Sequence, residues 1–165
     1  MAGYSRARFG QAWTDDNSDP TWGHDGCDTR NQVLRRDAVA GSVSPAAGCK
    51  VRAGRWVSPY TGQALTARAG VQIDHVVPLG YAWGHGESGR SQDERTRLAN
   101  DPANLLAVDA RSNESKGDRG PASWQPPRRA AWCGYAARFV LVASAYRLSV
   151  TAADRSELAG MLSSC

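Results

Sequence analysis

Three short stretches hold residue types that could cleave a phosphodiester. The first is Val71-Gln72-Ile73-Asp74-His75-Val76-Val77-Pro78-Leu79, an apolar, β-branched run interrupted by an Asp-His pair. The second, Asn104-Leu105-Leu106-Ala107-Val108, is another apolar run opened by an Asn. The third, Arg111-Ser112-Asn113-Glu114-Ser115-Lys116-Gly117-Asp118, is polar and places a second Asn nine residues after the first. Hydrolysis of a phosphodiester needs a base for the attacking water, neutralisation of the charge growing on phosphorus, and a stabiliser for the leaving oxygen. An imidazole at a strand end can be the base. Neighbouring side chains on a regular strand point to opposite faces. Asp74 and His75 can therefore serve one site only where the strand ends.

The elements that must position these groups follow from local pattern. Val71 to Val77 reads as a strand that Pro78 stops, and Asn104 to Asp109 as a second strand. Ala110 to Lys116 reads as a short helix closed by Gly117. Between the strands, a helical turn through Tyr81, Ala82 and Trp83 precedes a Gly-containing loop and a helix opened by the box-like Ser91-Gln92-Asp93-Glu94. Upstream, Asp28 caps a helix from Thr29 to about Ala40, residues 42–48 form a turn with Pro45, and residues 49–59 form a hairpin around Ala53-Gly54. Tyr60-Thr61-Gly62 reads as a turn. Downstream, Pro121 to Pro127 is a connector whose Trp124 reads as a packing anchor. Trp132, Tyr135, Ala136, Phe139, Val140, Ala143 and Tyr146 form the apolar stripe of a helix over about 129–147. A last helix over 151–163, capped by Thr151 with Asp154, faces inward with Leu158, Met161 and Leu162.

In this order and spacing the chain resembles an HNH endonuclease of the ββα-metal superfamily. More narrowly, it resembles the secreted actinobacterial or phage-borne HNH proteins with the DUF1524 domain, also found at the end of GmrSD-type restriction enzymes. The resemblance rests on Cys27-Asp28-Thr29-Arg30-Asn31, Asp74 to Leu79, Asn100-Asp101 to Leu105, Ser112-Asn113 to Lys116-Gly117-Asp118, Pro121 to Trp124 and Pro126-Pro127. It implies an α+β fold with a ββα-metal core over about 71–118, an N-terminal extension and a C-terminal helical hairpin over about 129–165, all in one domain of residues 1–165. It implies His75 as general base, Asp74 and Asn113 as metal ligands, and Asn104 as a structural brace. Lys116, Arg111 and Arg119 become phosphate-contact candidates, and Arg30 a further candidate for the site. Oxygen donors of this kind favour one Mg²⁺ or Mn²⁺ over Zn²⁺. Many HNH enzymes carry His where this chain has Asn113. The interval from His75 to Asn104 is long for the motif and reads as an insertion.

The gross numbers are compatible with this reading. The chain has 165 residues, 20 Lys+Arg against 16 Asp+Glu, and a net charge of +4. That permits a DNA or RNA partner without requiring one. Only Lys50 and Lys116 are lysines, an Arg bias that suits phosphate contacts and equally suits a GC-rich genome. Residues 111–129 carry a local surplus of positive charge. No apolar run is long enough for a membrane span, and Met1 to Gln11 is polar, without the apolar core of a signal peptide.

Four cysteines sit at 27, 49, 133 and 165. Cys133 lies early in one expected helix and Cys165 past the end of the next, so an antiparallel hairpin brings them to one end. That pairs Cys133 with Cys165 and leaves Cys27 with Cys49. Such bridges imply an oxidising compartment and a secreted protein. A zinc site using His24 and Cys27 is the rival reading of the first pair. Rival functions are a nucleic-acid-binding module without catalysis and a disulfide-stabilised extracellular structural or inhibitor protein. A monomer is expected.

Overall fold

The computed structural model describes residues 2–17, 19, 22–44 and 49–165. Its organising layer is an antiparallel pair, β3 (Val71–His75) and β4 (Leu105–Asp109), in the register Val71 to Asp109 through His75 to Leu105. The pair is buried on both sides. Val71, Ile73, Leu105 and Ala107 face a core that also takes Val33, Leu34, Val51, Trp56 and Leu65. Val108, Val76 and Val77 join a second core with Phe9, Leu98, Tyr135, Phe139 and Met161. Alternation along the strands thus divides their side chains between two cores.

Helix α4 (Ala110–Lys116) leaves the end of β4 directly and packs on both strands. Asp109 is its N-cap, accepting the Ser112 N–H at 2.9 Å, and also accepts the Ser58 hydroxyl at 2.7 Å. Gly117, at φ +52°, closes the helix as expected. Helix α1 (Thr29–Arg36) begins at Asp28, whose side chain accepts the Asn31 N–H. It ends four residues earlier than expected, because Ala38 turns outward into a β-bridge with Trp56.

The small hairpin is also displaced from its expected place. Strands β1 (Trp56–Val57) and β2 (Ala64–Leu65) pair across the Tyr60-Thr61-Gly62 turn, not around Ala53-Gly54. Gly62 holds φ +75° and donates its N–H to Ser58 O. Gly54 serves close packing instead, since a Cβ there would lie 2.8 Å from the Trp56 ring. Of the turn expected over 42–48, residues 45–48 lie outside the described residues.

The insertion between the strands contains α2 (Leu79–Gly84), α3 (Gln92–Asn100) and two single 3₁₀ turns, Glu87–Gly89 and Pro102–Asn104. Both halves of the Ser91/Glu94 capping box form. The chain closes with α5 (Trp132–Ala145) and α6 (Ala152–Leu162), an antiparallel hairpin bridged by Cys133–Cys165 with Cα atoms 5.2 Å apart. The second disulfide is Cys27–Cys49. It excludes Cys27 as a zinc ligand, and His24 is exposed beside Asp16 at 3.7 Å. The α5 stripe is shifted slightly from its expected positions: Val140 is 40% exposed and Val142, at 1%, takes the inner position. Leu162 is likewise on the outside. Among the described residues no helix is long and apolar enough to cross a membrane.

Candidate active site

β3 ends at His75, so Asp74 and His75 can both reach one cleft although their side chains leave opposite faces. The cleft has a volume of about 230 Å³ and is lined by these two with Asn113, Asp118, Tyr4 and Arg6, among others. His75 Nε2 lies 2.9 Å from the carbonyl oxygen of Ala99, near the C-terminal end of α3. A carbonyl can only accept, so Nε2 carries the proton and Nδ1 keeps the lone pair. The indole of Trp13 lies nearly parallel to the imidazole, centroids 5.5 Å apart. Desolvation depresses the His75 pKa to about 3, helped by the nearby Arg6 and Lys116 charges and opposed by the Ala99 bond. The ring is therefore neutral at pH 7, as a base must be.

Asp74 is buried, and each of its carboxylate oxygens holds one protein donor. Its Oδ1 accepts Lys116 Nζ at 2.8 Å, and its Oδ2 accepts the Tyr60 hydroxyl at 2.6 Å. Lys116 is 0% exposed and also donates to His75 O at 2.7 Å. This Lys faces inward, beneath the strand end, rather than toward a substrate phosphate. Burial lowers its pKa, while Asp74 and Asp118 oppose that change. Tyr60 is raised well above the usual phenol range by burial and by the adjoining Asp74 charge, so its hydroxyl stays a donor.

Asn104 is buried and braces the exit from β3. Its Oδ1 accepts the Val77 N–H at 2.8 Å, its Nδ2 donates to Val77 O and Leu98 O, and its own carbonyl accepts the Val76 N–H. Asn113 is anchored through Nδ2 to Gln72 Oε1 at 2.7 Å, which leaves its Oδ1 unclaimed. Asp118 comes close to α2, accepting the Gly80 N–H at 3.1 Å. A Cβ on Gly80 would lie 2.4 Å from that carboxyl carbon, so a larger residue there would displace the carboxylate.

These donors fit a hard divalent ion. A carboxylate has about four lone-pair sites, and Asp74 uses two on Lys116 and Tyr60. The Asn113 amide oxygen and the Asp118 carboxylate line the same cleft. Among the described residues no three His, Cys, Asp or Glu side chains cluster as a metal-binding group. The ion would therefore keep several waters, as Mg²⁺ usually does.

The chain belongs to the family of GmrSD restriction endonuclease C-terminal domains. The family model matches residues 12–161. A relative from Arthroderma benhamiae, described as an uncharacterized secreted protein, is 42% identical over 165 residues, covering 99% of this chain and 76% of its own. No solved structure matches.

The other expected residues of this GmrSD-type domain lie apart from the cleft. Arg30 reaches Val71 O at 3.4 Å, at the opposite end of β3 from His75. Arg111 is exposed on α4, and exposed Arg119 donates to Ser115 O just beyond it. Trp124 is a packed anchor, in edge contact with Tyr60 and Tyr135 and donating to Ser115 Oγ at 3.0 Å. Sequence reasoning missed Tyr60, Trp13, Arg6 and Asp118. Trp13 gave one faint signal, as a large aromatic in an otherwise polar segment. It holds φ +58°, a conformation uncommon for bulky residues. Asp118 stood inside the quoted Lys-Gly-Asp segment without a role.

Proposed function

We propose that this chain is an endonuclease that hydrolyses DNA phosphodiester bonds with a divalent metal and little base selectivity. The observation that carries the reading is an imidazole tied through Nε2 to Ala99 O, beside two carboxylates and an unclaimed amide oxygen in one cleft. His75 Nδ1 would take a proton from water as its oxygen attacks phosphorus and displaces the bridging oxygen. A divalent ion held by Asp74 and Asn113 would neutralise the charge developing on the phosphate and the leaving oxygen. Lys116 and Tyr60 hold the Asp74 carboxylate in its orientation. Asn104 and the end of α3 hold the base in place. Arg111 and Arg119, exposed on and just beyond α4, suit contacts to the nucleic-acid backbone, which carry no sequence information. RNA presents the same phosphodiester. The site is contained in one chain, which suits a monomer. The two disulfides and the secreted relative support action outside the cell.

One observation favours a second reading, a nucleic-acid-binding module without catalysis: Lys116 already neutralises Asp74. Nicking of supercoiled plasmid by the oxidised protein, in Mg²⁺, Mn²⁺ or EDTA and beside His75→Ala, separates the two. Metal-dependent nicking that falls at least about 10²-fold in the variant supports the nuclease. Plasmid binding without nicking in either metal supports the module.

A further inference from the structure

Among the described residues, Arg6 is the one Lys or Arg that lines the cleft. Its two terminal nitrogens are shielded from water and make no hydrogen bond. A buried guanidinium without an acceptor costs stability, because desolvated donors are left unpaired. The carboxylates of the cleft do not supply the acceptor. Asp74 accepts from Lys116 and Tyr60 and Asp118 from Gly80, and neither carboxylate bonds the terminal nitrogens of Arg6.

The backbone that carries Arg6 is held in place. It begins the 3₁₀ turn Arg6–Phe9, whose Phe9 is fully buried among Tyr4 and Trp83. Arg95 and Thr96 of α3 donate to Arg8 O and Phe9 O, and Trp83 of α2 donates to Ala2 O. The turn is thus fastened to the same insertion that holds His75. Arg6 also lies outside residues 12–161, the span matched by the family model.

We propose that the acceptor missing at Arg6 is a nucleic-acid phosphate, and that the Arg6 side chain turns from its shielded position into the cleft to grip the scissile group. A planar fork of N–H donors matches two phosphate oxygens, and Lys116, spent on Asp74, leaves that role open. The inference rests on the nuclease reading.

The test is metal-free binding of a short fluorescein-labelled duplex, followed by anisotropy across a salt series in EDTA. Loss of one phosphate contact reduces the slope of log Kd against log[salt] by about 0.9. Arg6→Gln should show that reduction and Arg6→Lys should retain the wild-type slope. Nicking by Arg6→Gln should fall at least about tenfold. An unchanged slope in folded Arg6→Gln overturns the proposal, whatever happens to its Tm. Should Arg6→Gln not fold, the wild-type Arg6 Nε–H resonance decides: a shift on adding duplex supports the contact, and none overturns it. Wild type that neither binds nor nicks overturns the nuclease reading and this inference together. Wild type that does both, with Arg6→Gln indistinguishable from it, overturns this inference alone.

Discussion

His75 shows how burial keeps an imidazole neutral at the cost of acid stability. An imidazole with a folded pKa of about 3 binds fewer protons than the same group unfolded, near 6.5. Its contribution is complete above about pH 6.5 and is lost as pH falls toward 3. Thermal unfolding of wild type should therefore drop more steeply below pH 6.5 than that of His75→Gln, which cannot gain the charge. Parallel curves would contradict the depressed pKa. Asp74 supports a second prediction. Lys116→Met leaves a buried carboxylate without its ion-pair partner, a loss of about 3–5 kcal/mol. Tyr60→Phe removes one hydrogen bond from the same group and should cost less, about 1–3 kcal/mol. Urea denaturation of both variants checks the order. The Asp-His pair and the two Asn residues were legible because their spacing is local. Tyr60, Trp13 and Arg6 were not, because their neighbours in the site lie far along the chain and only the fold brings them together.

At the scale of elements, the insertion between β3 and β4 is part of the site. Its α3 supplies the carbonyl that fixes the His75 tautomer, and Asn104 ties the end of α3 to the exit of β3. Asn104→Ala strands a buried Val77 N–H and should cost at least about 2 kcal/mol. It should also reduce nicking beyond what unfolding accounts for, measured well below the variant's Tm. Gly80→Ala drives a methyl into the Asp118 carboxylate and should weaken Mn²⁺ binding, followed by calorimetry, if Asp118 shares the ion. Unchanged affinity would remove Asp118 from the ligand set. The strands, α4 and the last two helices were readable from alternation, caps and apolar stripes. The β1–β2 hairpin was misplaced because Gly54 looks like a turn residue, whereas here it makes room for Trp56. The early end of α1 depends on a bridge to Trp56, a non-local pairing that helix propensity does not register.

Over the whole molecule, two cores share one strand pair and each is fastened by its own disulfide. Cys133–Cys165 joins the C-terminal helices, and its loss as a double Ala variant should cost about 3–4 kcal/mol while sparing the cleft. Cys27–Cys49 borders the segment that carries Trp13, whose carbonyl accepts the Thr29 N–H, so its loss should lower activity as well as stability. Urea melts and nicking rates of the two double variants, side by side, test that asymmetry. Chemical rescue decides whether the chain is a nuclease with His75 as its base. His75→Gly should be inactive on supercoiled plasmid with Mg²⁺ or Mn²⁺. Added imidazole should restore nicking in proportion to its concentration and leave wild type unaffected. A His75→Gly variant that nicks at the wild-type rate would contradict the account, and so would a folded, inactive variant that imidazole cannot revive at any concentration.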